Sequence, residues 1–505
     1  MNVTEKIIKN VFSSWVYYFV QFGVGFLMVP FMVHRLGDTL YGLWILALSF
    51  SGYGGFFDLG IRGAIVKYTA EFEAKKDTEG LLKVINTGWM IHLLSSILIL
   101  FLTVILYFFV HRFFKIEPHL VNDFRLCLLF IGINFAFTLS TNVFVSVIEG
   151  FKRQDIVSAI EIISFLLQSA LIVLAVSKHA SLVTLGIIIL SISLLKQWMR
   201  AHFVSRIFPQ FKLKFSYFTK SFLNTILNYS IFLFIFQGLR NIISSLPNIL
   251  LGAWLGGAAI TVFSIGTRLA GYVSIFLFTT AGTLLPFISG FSSLRETEKL
   301  KKTFLQGTKY TYMLALLFGC IFLIMGKQII SLWVGPEFAH KSYPVLFIVI
   351  LPIILSPSIS MVNSVLQGIG NIRFLALLTF IELIAAITLS RLFFLAGFGI
   401  KGVAIGVTIP YFLSAGLILP IYIIKLLKIN FLEYLKVTIT HMIFPLFVFV
   451  TSLYYLRTIL GNTARSLIVQ ITLATTLYLI VFFIVSKNQK DNFYYLFKTK
   501  KISSK

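Results

Sequence analysis

Arg240 and Arg268 sit where a bilayer-spanning segment should carry no charge. The first lies in LFIFQGLRNIISSL and the second in VFSIGTRLAGYVS, on consecutive apolar runs between 224 and 286. A guanidinium near the bilayer centre costs about 2.5–3.5 kcal/mol even on the lenient insertion scale, and it does not shed its proton to escape that cost. Two of them on neighbouring runs point to a polar, water-filled interior and to an anion that enters it. A dense anion is what a guanidinium holds best, through paired charge-assisted hydrogen bonds. Gln237, Asn241 and Asn248 accompany Arg240, and Asn241 and Asn248 are seven residues apart, on one helix face. Their amides suit a ligand's hydroxyl groups, and they suit helix–helix hydrogen bonds equally well.

Two acids also interrupt apolar runs, Glu161 and Glu382. An intramembrane carboxylate is a partner for a cation, a coupling site for protons or sodium, or an acid held neutral. Arg391, near an extracellular run end, reads as a side chain that snorkels to the headgroups. Asp58 and Arg62 are spaced i,i+4 with the acid first, the favoured order for a pair on one helix. With Lys67 they mark either a helix-end salt bridge or an inner gate where an anion first docks. The sequence shows no Walker A pattern, no metal-ligand spacing and no long extracellular loop with a catalytic constellation, so neither a cofactor nor an enzymatic step is expected. Cys127 and Cys320 both fall in apolar runs and read as inert core thiols.

The elements that must position these residues are membrane helices. Hydrophobic residues make up 58 % of the 505, charged residues only 12 %, and apolar runs near 20 residues recur throughout, each long enough to cross about 30 Å of hydrocarbon. Fourteen spans are expected: 11–33, 41–61, 84–110, 124–148, 156–177, 180–199, 224–251, 258–286, 307–334, 343–367, 372–396, 400–424, 437–459 and 466–486. The +25 net charge is mostly a topology signal rather than a nucleic-acid footprint. With residues close to a span end counted in the adjoining connection, 30 of the 43 Lys and Arg fall on the side of the two termini. Ten fall on the other side and three, Arg240, Arg268 and Arg391, stay inside spans. Both termini should therefore face the cytoplasm of the cell membrane.

An internal repeat is also visible. Ser146-Val-Ile-Glu-Gly150 matches Ser364-Val-Leu-Gln-Gly368 at an offset of 218, and Leu36-Gly37 matches Leu255-Gly256 at 219. Six spans separate the copies, so the halves should share one orientation, with a site between them near the midplane. The expected architecture is all-α and polytopic: parallel six-helix lobes at 1–205 and 206–430, then two extra helices and a basic tail at 431–505.

Several stretches carry a family resemblance. Pro30-Phe-Met-Val-His-Arg-Leu-Gly37 is followed by Tyr41-Gly-Leu-Trp44, Phe57-Asp-Leu-Gly60 and 64–68; in the second half stand Leu332-Trp-Val-Gly335 and Gln367-Gly-Ile-Gly-Asn371. In these, and in topology and repeat, the sequence resembles the polysaccharide (O-antigen-type) flippases of the multidrug/oligosaccharidyl-lipid/polysaccharide exporter superfamily. The resemblance implies two six-helix lobes around a cationic cavity, alternating access, and transfer of undecaprenyl-diphosphate-linked sugars out of the cytoplasmic leaflet. Implied partners are that lipid-diphosphate oligosaccharide, membrane lipid, a driving H+ or Na+, and a polysaccharide polymerase. Arg240 and Arg268 would then hold the diphosphate, with Gln237, Asn241 and Asn248 on the sugar. Two alternatives stand beside this reading. A cation-coupled multidrug exporter of the same fold predicts acids in the cavity, and a membrane enzyme acting on lipid-linked sugars predicts a catalytic loop.

Overall fold

The computed structural model describes residues 3–51, 57–58, 60–461 and 463–487. Among these nearly every residue is helical and none is in a strand. The packing divides the chain into two compact units, Met1–Thr261 and Val262–Lys505. The basic tail 498–505 and Leu59 of the Phe57–Gly60 motif lie outside the described residues.

The first unit holds α1 (Val3–Ser51), α2 (Ile61–Lys75), α3 (Thr78–Phe113), α4 (Val121–Ser140), α5 (Asn142–Gly150), α6 (Gln154–Ser177), α7 (Leu182–Ile207) and α8 (Lys220–Trp254). One core cluster packs Ile61, Ile65, Leu81, Ile85, Val143, Val147 and Ile148 from α2, α3 and α5 together. α8 packs on α1, α2 and α3, so the compact unit runs past the 205/206 junction that the repeat offset gives. α9 (Gly257–Gly282) crosses the unit boundary.

The second unit continues with α10 (Leu285–Ser293), α11 (Thr297–Trp333), α12 (Pro336–Leu355), α13 (Ser358–Ile369), α14 (Ile372–Phe393), α15 (Gly399–Phe412), α16 (Leu419–Leu426), α17 (Phe431–Leu435), α18 (His441–Leu460) and α19 (Ala464–Lys487). Its core includes Phe304, Met325, Val345, Met361 and, from the last two helices, Phe449, Tyr478 and Phe482. Single π turns join α15 to α16 (Leu413–Ile418) and α17 to α18 (Lys436–Thr440).

Among the described residues, eleven segments are long and apolar enough to cross a membrane. In Thr78–Phe113 the most apolar window has a mean hydropathy of 2.8 yet is only 22 % buried. An apolar helix left that open makes sense only with lipid around it. Ile372–Leu426 contains two of the expected spans, broken at Gly397–Gly399, and Phe12–Phe50 covers nearly all of 11–33 and, past the break at Gly37, the first half of 41–61. The expected span 224–251 falls in α8, several of whose side chains lie outside the description. The chain is thus an all-α, multi-pass membrane protein.

Backbone corners recur along the chain. Left-handed φ values occur at Gly37 and Gly256, Lys76 and Arg295, Lys152 and Gly370, His179 and Gly397. Each pair is separated by 218 or 219 residues, the spacing of the sequence matches. Gly37 (φ 79°) and Gly256 (φ 90°) occupy a region that costs an L side chain roughly 1–2 kcal/mol. The close approaches recur as well. A Cβ on Gly150 would lie 2.5 Å from Thr69 Cγ2, and one on Gly368 would lie 2.6 Å from Ile288 Cγ2, with Thr69 and Ile288 themselves 219 apart.

Candidate functional site

In the first unit, α6 and α7 pack against each other around a short turn. Lys196 and Arg200 are four residues apart and so share one face of α7. That face meets Glu161 on α6. Arg200 Nη2 donates to Glu161 Oε1 in a close contact, Lys196 Nζ lies 3.6 Å from Oε2, and Arg200 Nη1 donates to Gln197 Oε1 at 3.2 Å. The Arg200 side chain is only 6 % exposed. One carboxylate therefore faces two cations, and the cluster carries a net positive charge. Of the readings open to Glu161 from sequence, the structure supplies the cation partners. Lys196 and Arg200 read in the sequence as topology residues only; their i,i+4 spacing on the helix following Glu161's was the signal that they belong to it.

A second network closes the amino-terminal end of α2. The expected Asp58–Arg62 pair does not form. Gly60 adopts a left-handed conformation (φ 68°) and α2 starts after it, so Asp58 and Arg62 are not on one continuous helix. Arg62 instead donates from Nη2 to Glu149 Oε1 at 2.7 Å and from Nε to Oε2 at 3.3 Å, a two-pronged pair with α5. Asp58 Oδ1 lies 3.0 Å from Nε2 of His92, a fully buried residue of α3 whose Nδ1 has no hydrogen-bond partner. Glu149 and His92 were invisible as site residues because their partners are 87 and 34 positions away. Lys67 is exposed on α2, its ammonium 4.9 Å from the centre of the Tyr68 ring.

The α8 residues divide. Asn248 donates from Nδ2 to Ser49 Oγ of α1 at 2.9 Å, a helix–helix bond. Arg240 is half-buried with its guanidinium 5.9 Å from the Phe236 ring centre, Asn241 is half-buried, and Gln237 is exposed. Arg268 is exposed on α9 and belongs to the second unit, whereas Arg240 belongs to the first. In the second unit Glu382 is 3 % exposed and its Oε2 accepts a 2.7 Å hydrogen bond from Ser414, which sits in the π turn after α15. Among the described residues no three His, Cys, Asp or Glu side chains are grouped to hold a metal ion.

Helices of this number and hydropathy define an all-α, multi-pass membrane protein. The solved structures it matches share that fold. A lipid II flippase, MurJ, in an inward closed conformation superposes with a TM-score of 0.72 at 16 % identity, covering 94 % of this chain and 99 % of that one. A multidrug resistance MATE family transporter of the MOP superfamily matches in its inward-facing conformation (TM-score 0.63, 17 % identity, 80 % and 98 % covered) and in its outward-facing one (TM-score 0.59, 17 % identity, 84 % and 96 % covered). Among curated proteins none matches in sequence. The family model described as polysaccharide biosynthesis protein matches residues 7–292, more than half of the chain, and the chain belongs to that family.

Proposed function

We propose that this protein flips an undecaprenyl-diphosphate-linked oligosaccharide from the cytoplasmic to the outer leaflet of the cell membrane by alternating access, both termini staying in the cytoplasm. The observation that carries the reading is the α6–α7 cluster, where the one acid is outnumbered by Arg200 and Lys196. A site built to attract a coupling cation would leave its carboxylate available; this one is spent on two cations and the surplus charge suits an anionic cargo. Arg240 and Arg268 are the diphosphate-binding residues of this reading. Asn241 and Gln237 would meet sugar, while Asn248 is engaged to Ser49 and its role is to hold α8 on α1. Two six-helix repeats, 1–205 and 206–430, are supported by the left-handed corners that recur at the sequence offset. Family membership and the flippase among the structural matches support the cargo class.

A second reading has one observation in its favour. Glu382 is an almost fully buried acid held by a serine hydroxyl, the environment of a proton or sodium coupling site, and a cation-coupled drug exporter would use it. The test is transport of a fluorescent undecaprenyl-diphosphate oligosaccharide in proteoliposomes by wild type and Arg240→Ala. Translocation that collapses in a correctly inserted variant supports the anion mechanism. Efflux of a cationic dye without translocation of the lipid selects the exporter.

A further inference from the structure

The first unit contains a polar cavity of about 260 Å³ among α1, α4, α6 and α7. Gln21, Asn134, Ser164, Gln168, Glu161 and Lys196 are among its lining residues. Such a lining is costly in a bundle that lipid surrounds, because each buried polar group without a partner costs roughly 1–3 kcal/mol. Thr138 and Ser193 answer one another at 3.0 Å across the cavity wall. Ser164 Oγ does not: the residue is 4 % exposed, lines the cavity and has no hydrogen-bond partner, and Asn134 Oδ1, in the same lining, is unpartnered as well. An orphaned serine hydroxyl and an orphaned amide oxygen in one cavity describe a ligand that brings hydroxyl groups.

The charge describes the rest of that ligand. Glu161 is committed to Arg200, and Lys196 stands 3.6 Å from the carboxylate, close enough to be attracted and too far for a good hydrogen bond. A metal ion or an amine entering here meets the Lys196 ammonium and a carboxylate already bonded to Arg200 from outside the lining, so the cluster as a whole is net positive. A carboxylate entering here gives Lys196 the charge-assisted bond that Glu161 leaves incomplete. The volume lies below the roughly 300–1,000 Å³ of drug-sized sites, which limits the occupant to about one ring.

We propose that this cavity is a subsite for one acidic sugar residue of the uronic-acid type, its carboxylate on Lys196 and its hydroxyls on Ser164 and Asn134. The subsite narrows the cargo proposed above to carboxylate-bearing glycans, and it rests on that proposal. Ligand-observed NMR titration of the full chain in nanodiscs tests it directly, with glucuronate and its neutral counterpart glucuronamide as probes. Wild type should bind glucuronate at least tenfold tighter than the amide. Lys196→Met should bind the two equally, Lys196→Arg should restore the preference, and Ser164→Val should weaken both by a similar factor. Folding is checked by size-exclusion profile and thermal midpoint. Equal binding of the two probes by wild type, no binding of either, or a preference that survives in Lys196→Met overturns the proposal. Proteoliposome transport separates this from the broader reading. If a neutral lipid-diphosphate oligosaccharide moves as fast as an acidic one, the subsite is wrong and the flippase stands; if neither moves, the flippase reading itself fails.

Discussion

Glu161→Gln should destabilise the first unit more than any other single charge removal in the described spans. The substitution leaves the Arg200 guanidinium, 6 % exposed, and the Lys196 ammonium, 23 % exposed, facing one another with no counter-charge. Removing one partner of a buried pair costs about 3–5 kcal/mol. Partial exposure of Lys196 brings water to one side of the cluster and favours the lower figure, about 3 kcal/mol. At roughly 2 °C per kcal/mol for a unit of about 250 residues, the unfolding midpoint should fall by about 6 °C. Adding Arg200→Met removes the stranded charge, so the double variant should regain part of the loss, with a coupling of more than 1 kcal/mol against the 0.3–0.5 kcal/mol expected of independent sites. The assay is thermal unfolding by intrinsic fluorescence in nanodiscs of one lipid composition at one scan rate, because unfolding of such proteins is a rate as much as an equilibrium. A fall under about 2 °C in Glu161→Gln, or strictly additive effects in the double variant, refutes the assignment of Glu161 as a structural counter-charge.

Three other expectations follow from the same kind of contact. Exchanging the charges of the α2–α5 pair, Arg62→Glu with Glu149→Arg, should recover about 1 kcal/mol relative to the sum of the single variants, measured by the same thermal assay, whereas Arg62→Glu combined with Asp58→Arg should recover nothing. Ser414→Ala takes away a hydrogen bond to a buried carboxylate and should cost about 1–3 kcal/mol, read as a lower midpoint; an unchanged midpoint would mean that Glu382 is satisfied without the serine. Gly37→Ala and Gly256→Ala each place a Cβ on left-handed backbone and should each cost about 1–2 kcal/mol, while Gly271→Ala, with open space around its Cβ, should stay within 1 kcal/mol. The readout is the yield of monodisperse protein together with its midpoint.

The spans were legible because hydrocarbon thickness imposes a length on each of them, and that length is local in sequence. The corners at Gly37 and Gly256 were legible for a similar reason, since a short turn writes its requirement into the one residue that takes it. Partners across helices were not. Glu161 announces a need for a cation, and nothing within its own span says that Arg200, 39 residues on, will satisfy it. Asp58 and Arg62 misled because spacing implies a shared face only where the helix is continuous, and Gly60 ends that continuity. The repeat itself holds a further hint. Positions 219 and 218 beyond Arg62 and Glu149 carry Ala281 and Gln367, so the second half lacks both charges together.

Two of the four corners that recur in both halves exchange a non-glycine for glycine, and the difference has a mechanical meaning. Lys152 and His179 hold left-handed backbone at the ends of α5 and α6, where the second half has Gly370 and Gly397. Each non-glycine there stores about a kilocalorie of torsional energy that glycine does not, but it also has far fewer conformations to wander into. The π turn at Leu413–Ile418 falls in the second half too, and another, Lys436–Thr440, lies just beyond it. Such a turn holds one residue more than an α turn, and passing that extra residue along the helix rotates everything beyond it by about 100°. Ser414 lies in one of them, so its bond to Glu382 would lock that joint in a single register. At these two bends the amino-terminal half has the narrower choice of backbone and the carboxy-terminal half the wider one, with a buried acid bonded across its π turn.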